Sequence, residues 1–272
     1  MFGWFGTQDT VTEAEADWLF DAYAWCLRNF DAQVFFHDSR LVVPSNEHFP
    51  GREDSAQGMA QLIFDHVKGY AGMAHWPFEL VDGSTCTIGA QAPVRIQGPL
   101  RAVGGMAAVP ASAGSGLPVA YDPQLLGNPE ALIASYAHTL AHHLGQLGAE
   151  PPPGGGDYWP QATELLAIYL GFGLMFANSA FTFRGGCGSC YNPHANRDAY
   201  LSEQESTYAL AIFAVLKAIP NAEVSGHLKR HLRGFYKQAV KAVSHRTEEL
   251  RQLRQLGDFV SNNPPEAVET AQ

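Results

Sequence analysis

Ala137-His138-Thr139-Leu140-Ala141-His142-His143 is the stretch whose reading decides the fold. Just upstream, Asn128-Pro129-Glu130 offers an N-cap residue, a proline at the first helical position and an acidic first turn. Downstream, Gly148 and the run Pro151-Pro152-Pro153-Gly154-Gly155-Gly156 stop any helix. The pattern predicts a helix over 129–147. Four helical residues turn through about 400°, so the imidazoles of His138 and His142 project from one face. Two histidines need that spacing to share one tetrahedral zinc. Spacing alone is a weak sign, because 11 histidines in 272 positions give roughly 0.4 such pairs by chance. His227 and His231 repeat the spacing beside Lys229, Arg230 and Arg233, where positive charge opposes a dication. That second pair reads as a solvated helix face.

The setting separates the first pair from the second. A strand at Leu117–Tyr121 feeds the histidine helix, and Pro160 starts another helix running to about residue 181. This next helix is apolar on nearly every face, which places it at the centre of the fold. Glu164 is its only charge, and the only one between Asp157 and Arg184. A buried carboxylate is costly unless it is paired, hydrogen-bonded or bound to metal. Two readings follow. His138, His142 and Glu164 hold zinc, with a fourth position for water. Or Glu164 pairs with an arginine such as Arg184, and the histidines are satisfied inside the core.

His138-x-x-x-His142 with Glu164 downstream resembles the gluzincin metallopeptidases, whose HExxH helix is followed by a glutamate ligand on the next helix. Further blocks look like an uncharacterised bacterial family with a zincin-like core. They are Thr163-Glu164-Leu165-Leu166, Gly171-Phe172-Gly173 with Ala177-Asn178-Ser179, and Tyr200-Leu201-Ser202-Glu203 with Tyr208-Ala209-Leu210-Ala211. Leu41–Pro50 is similar to that family's N-terminal part. The resemblance implies a zinc site and metal-assisted amide hydrolysis. One position departs from it. Where the family pattern has glutamate after the first histidine, this chain has Thr139. In gluzincins that glutamate moves the proton of the zinc-bound water. A threonine hydroxyl has no usable pKa near 7, and loss of a general base costs about 10²–10⁴-fold. His143 is the nearest substitute base, turned about 100° from the ligand face. The expectation is a zinc-binding, catalytically impaired, metallopeptidase-like protein. The alternatives are a non-catalytic binding or regulatory protein on the same scaffold, and a metal-free globular protein.

Working outward, Thr12-Glu13-Ala14-Glu15 fits a capping box for a helix over 12–30, and a second helix runs over about 55–69. Leu41-Val42-Val43 reads as a short strand ended by Pro44. Phe78–Val81, Thr85–Ile88 and Val94–Ile96 are further strands, and residues 102–118 form an Ala/Gly/Ser/Pro-rich loop. Ser202-Glu203-Gln204-Glu205 opens a helix to about residue 218, and 222–256 is helical and charged. The fold class is α+β. A zincin-like core comprises a mixed sheet, the histidine helix and the buried glutamate helix. The domain reading is a helical portion over 1–75, the core with a C-terminal helical layer over 76–256, and a tail over 257–272.

Composition excludes several classes. Hydrophobic residues at 46% rule out wholesale disorder, and a net charge of −10 disfavours a phosphate backbone as partner. No nucleic acid and no membrane are expected. The longest uncharged apolar run, Leu165–Ala177, is too short for a bilayer. The start Met1-Phe2-Gly3-Trp4-Phe5 lacks a basic region, so the expected location is the cytoplasm. Four cysteines make no disulfide framework. Cys187-Gly188-Ser189-Cys190 is a CxxC, read as half a metal site with His194, as a redox pair, or as incidental thiols. Asp122 and Glu130 flank the entry to the histidine helix and could orient a ligand histidine, though Glu130 in a first turn is more simply a helix-dipole residue. Residues 227–254 carry eight Lys or Arg against Glu248 and Glu249, a local +6 that leaves −16 for the rest. A peptide or protein is the expected ligand; if the chain is active, an extended peptide would lie along the Leu117–Tyr121 strand edge.

Overall fold

The Thr12 hydroxyl accepts the Glu15 N–H at 3.3 Å, and the Glu15 carboxylate accepts the Thr12 N–H at 2.7 Å. The expected capping box is thus formed and starts helix α1, Glu13–Asn29. The computed structural model describes residues 11–83, 96, 98–102, 116–179 and 200–262. Helix α2 spans Ala56–Ala71, capped by Ser55. Strands β1, Phe78–Asp82, and β2, Leu117–Tyr121, pair in parallel, with Phe78 opposite Leu117 and Asp82 opposite Tyr121. Leu117, Val119 and Tyr121 are buried and alternate with half-buried residues. The strand expected at 85–88 lies outside the described residues, as does the one expected at 94–96 apart from Ile96, which is not in a strand. Among those described, the architecture is a helical body with one small parallel sheet, α+β in the general sense.

Helix α3, Pro129–Gly145, begins as its sequence predicts. The Asn128 side chain accepts the Ala131 N–H at 3.3 Å, and Pro129 occupies the first position. The central helix departs from expectation. It runs as α4, Trp159–Ala167, then a π-turn over Ile168–Phe172, then α5, Gly173–Ser179. The break sits at Gly171, whose φ of 108° and ψ of 0° are not helical. Its carbonyl accepts the Val42 N–H at 2.9 Å, and a Cβ there would lie 2.2 Å from the Arg40 carbonyl oxygen. Only glycine fits both the backbone angle and this approach. The same contact corrects the reading of Leu41–Val43. That segment is not a strand; it is a buried extended stretch whose central N–H bonds a helix carbonyl.

Helix α6, Glu203–Leu216, starts with a second capping box, Ser202 with Glu205. The segment 222–256, expected as one helical stretch, is three helices: α7, Asn221–His227; α8, Leu232–His245; and α9, Thr247–Asn262. Extended backbone at Leu228 and a non-helical Arg246 separate them. Helix α6 packs between α5 and α8, while α3 packs on α4 and α1 on α4, α6 and α9. One apolar cluster joins them from Ala16 to Leu253. The run Gly156–Ser179, broken at Gly171, is by length and composition apolar enough to cross a membrane, and its 18-residue apolar stretch is buried within the protein.

Candidate functional site

On α3, His138 is 1% exposed, Thr139 2% and His143 5%, while His142 is half-buried at the edge. Glu164, on the neighbouring α4, is 2% exposed. The helix pair therefore carries His138, His142 and Glu164 in its interior or at its rim. Each of these side chains makes identifiable contacts.

Thr139 Oγ1 donates to the Ser135 carbonyl one turn back, at 3.1 Å. The Thr139 hydroxyl proton is thus committed to the helix backbone. The Gln146 side-chain amide lies 3.0 Å from His142 Nε2. An amide N–H only donates, so this contact is a hydrogen bond in the tautomer that leaves Nε2 unprotonated. His143 faces the other way: its ring centre is 5.7 Å from that of Phe78 on β1. Its Nε2 is buried with no hydrogen-bond partner among the described residues. Burial, with a smaller contribution from the neighbouring His142, pushes its pKa down to about 4. His143 is neutral at pH 7 and a weak base, poorly matched to proton transfer there.

Glu164 accepts two backbone N–H groups. Tyr200 donates to Oε1 at 3.2 Å and Leu201 to Oε2 at 2.7 Å. Those amides immediately precede the Ser202 cap of α6. A carboxylate at a helix start is favoured by the exposed N–H groups and the positive end of the helix dipole. The lone charge that the sequence marks as needing a partner has these two donors. The residues suit zinc by donor type. Among the described residues, no three His, Cys, Asp or Glu side chains form a group able to hold a metal ion. Cys187, Cys190 and His194, like Arg184, lie outside the described residues.

Asn178, at the end of α5, is a junction that the sequence hardly signals. Its amide donates to Glu130 Oε1 at 2.8 Å and to the His227 carbonyl at 3.0 Å, and its carbonyl accepts the Lys229 N–H at 2.9 Å. The start of α3, the end of α5 and the turn after α7 meet there. Glu130, read as a partner for a ligand histidine, serves this junction. Asp122 accepts the Gln124 N–H at 2.8 Å in the turn before α3. Arg101 is a second missed residue, fully buried. Its guanidinium donates to the Ala71 carbonyl at 2.9 Å, the Ser39 hydroxyl at 2.7 Å and the Phe30 carbonyl at 3.4 Å, with the Tyr169 ring 5.4 Å away. Asp31 accepts the Arg101 backbone N–H at 2.8 Å, and burial raises its pKa against that bond. A lone arginine between Leu100 and Ala102 is the only hint the sequence offers.

Comparison with protein-family models, with curated proteins and with solved structures gave no match.

Proposed function

We propose that this chain is a non-hydrolytic binding or regulatory protein built on a metallopeptidase-like helix pair. The observation that carries the reading is Thr139. It occupies the position of the proton-transferring glutamate, and its hydroxyl is bound to the Ser135 carbonyl. The neighbouring residues support it. His143 is too weak a base to substitute, and Glu164 holds the backbone in front of α6. In this reading the zincin-like core is retained as a scaffold, and its partner is a peptide or protein.

A zinc-binding protein is the second reading, favoured by one observation. His138 and His142 sit one turn apart on a helix packed against the helix of Glu164. Two assays separate the readings. The purified chain is expected to cleave neither casein nor a peptide library above background, and to carry well under one zinc per chain after dialysis. Stoichiometric zinc that is lost in His138→Ala would establish the second reading. Peptide cleavage by the wild type that is abolished in His138→Ala and Glu164→Ala would overturn both.

A further inference from the structure

Between Glu223 and Glu248 the chain has six Lys or Arg and no carboxylate. Helix α8 folds this segment so that Leu232, Phe235, Tyr236, Ala239 and Val243 are buried, mainly against α6. Arg233, Lys237, Lys241 and His245 stand four residues apart on its exposed side. Successive members rise about 6 Å along one slowly turning stripe. Arg233 is steadied by the carbonyls of Leu228 and Gly226, at 2.9 and 3.3 Å. Lys237 and Lys241, with Lys229 and Arg230 just before the helix, form no ion pair among the described residues. A protein whose remainder carries −16 thus leaves a cationic ladder unneutralised on its surface.

We infer that this ladder docks an acidic polypeptide segment with carboxylates about one helical turn apart. The molecule already contains the recognition chemistry. Arg246, the next basic residue, is held by Glu13 and Asp17, two carboxylates at i,i+4 on α1. The same spacing on a partner helix matches Arg233, Lys237 and Lys241. Nucleic acid is the poorer occupant. Phe235 and Tyr236 are buried, so this face has no aromatic platform for bases. A long polyanion would also run beyond the ladder onto the acidic body, whereas screening over about 8 Å lets a short acidic segment feel the ladder alone. A membrane surface is poorer too, because the apolar side of α8 is taken up by α6 and none is left to enter lipid.

The inference rests on reading the chain as a binding protein, and it names that partner's chemistry. The protease and zinc assays test the parent reading; the following experiment does not depend on them. A short fluorescein-labelled helical peptide with glutamates four residues apart is titrated with the full chain at low and physiological salt, reading anisotropy. Binding is expected to weaken with salt and to fall by at least about fivefold in Lys237→Glu and in Lys241→Glu. Arg52→Glu, which changes the net charge equally at another exposed site, is expected to bind like wild type. Unchanged far-UV circular dichroism verifies the fold of each variant. The inference is overturned by absence of binding at low salt, by equal loss in Arg52→Glu, or by tighter binding of a single-stranded oligonucleotide or of phosphatidylserine vesicles.

Discussion

Replacing Gly171 by alanine should be among the most damaging single-methyl additions in this protein. At φ 108° an L-residue sits outside its allowed regions, at a cost of about 1–3 kcal/mol. The new Cβ would stand 2.2 Å from the Arg40 carbonyl oxygen, so the backbone of one segment must move by about 1 Å to restore contact distance. That movement pulls apart the bond from the Val42 N–H to the Gly171 carbonyl, worth about 1 kcal/mol. The reduced freedom of the unfolded alanine chain returns about 0.4–1 kcal/mol. The expected net loss is about 3 kcal/mol, a large part of the 5–15 kcal/mol typical of a whole domain. Urea denaturation followed by tryptophan fluorescence and circular dichroism measures it. Gly155→Ala is the comparison: φ is also positive, at 80°, yet nothing lies within 4 Å of its Cβ, so only the strain applies. Equal midpoints for the two variants, or a Gly171→Ala within about 0.5 kcal/mol of wild type, would refute the reasoning.

Three further outcomes follow from the same geometry. The folded-state pKa of His143, about 4, lies below its ordinary 6.5, so the unfolded chain takes up the proton first. Stability from this group is therefore full above pH 6.5 and is lost as pH falls toward 4. About 2 kcal/mol should disappear between pH 7.5 and 5, and His143→Leu should flatten that slope in urea titrations. Glu164→Ala strands the Tyr200 and Leu201 N–H groups and should cost about 2–4 kcal/mol, with Glu164→Gln recovering part because its amide oxygen still accepts one bond. Equal melting temperatures for these two variants would contradict that role. Arg101→Met leaves the Ala71 carbonyl and Ser39 hydroxyl without their buried donor and should destabilise by about 3 kcal/mol, where a loss below about 1 kcal/mol would show the cluster to be redundant.

What the sequence makes legible is local. Thr12, Asn128 and Ser202 announce their helices because a cap needs only residues three or four positions away. β1 and β2 are legible from short apolar runs bounded by Gly and Pro. Leu41–Val43 is equally apolar and β-branched, and its fate depends on the Gly171 carbonyl, about 130 residues distant. Gly171 is invisible inside an apolar run, since a glycine's need for positive φ has no signature in its neighbours. Glu164 shows the divide most clearly. Its isolation states that a partner must exist, but no local pattern names the amides of Tyr200 and Leu201. The breaks at Leu228 and Arg246 hide because charged residues continue across them and hydrophobic spacing resumes on the far side.

The parallel pairing of β1 with β2 has a consequence for how the chain reaches its native state. Antiparallel neighbours can zip from a tight turn, but parallel ones cannot. Here 34 positions, Gly83 to Gly116, separate the strands in sequence, and bringing ends so far apart together costs about 3 kcal/mol of chain entropy. Neither strand repays that cost alone, because five residues form too small a ladder to stand without a surface to lie on. The surface is offered by α2 and α3, which contact β1 and β2 respectively. The expected order of assembly is helices first and sheet last, which pulsed hydrogen exchange at the β1 and β2 amides would check. A chain arrested early would carry its histidine helix intact while the β1 side, where Phe78 covers His143, still lay open to water.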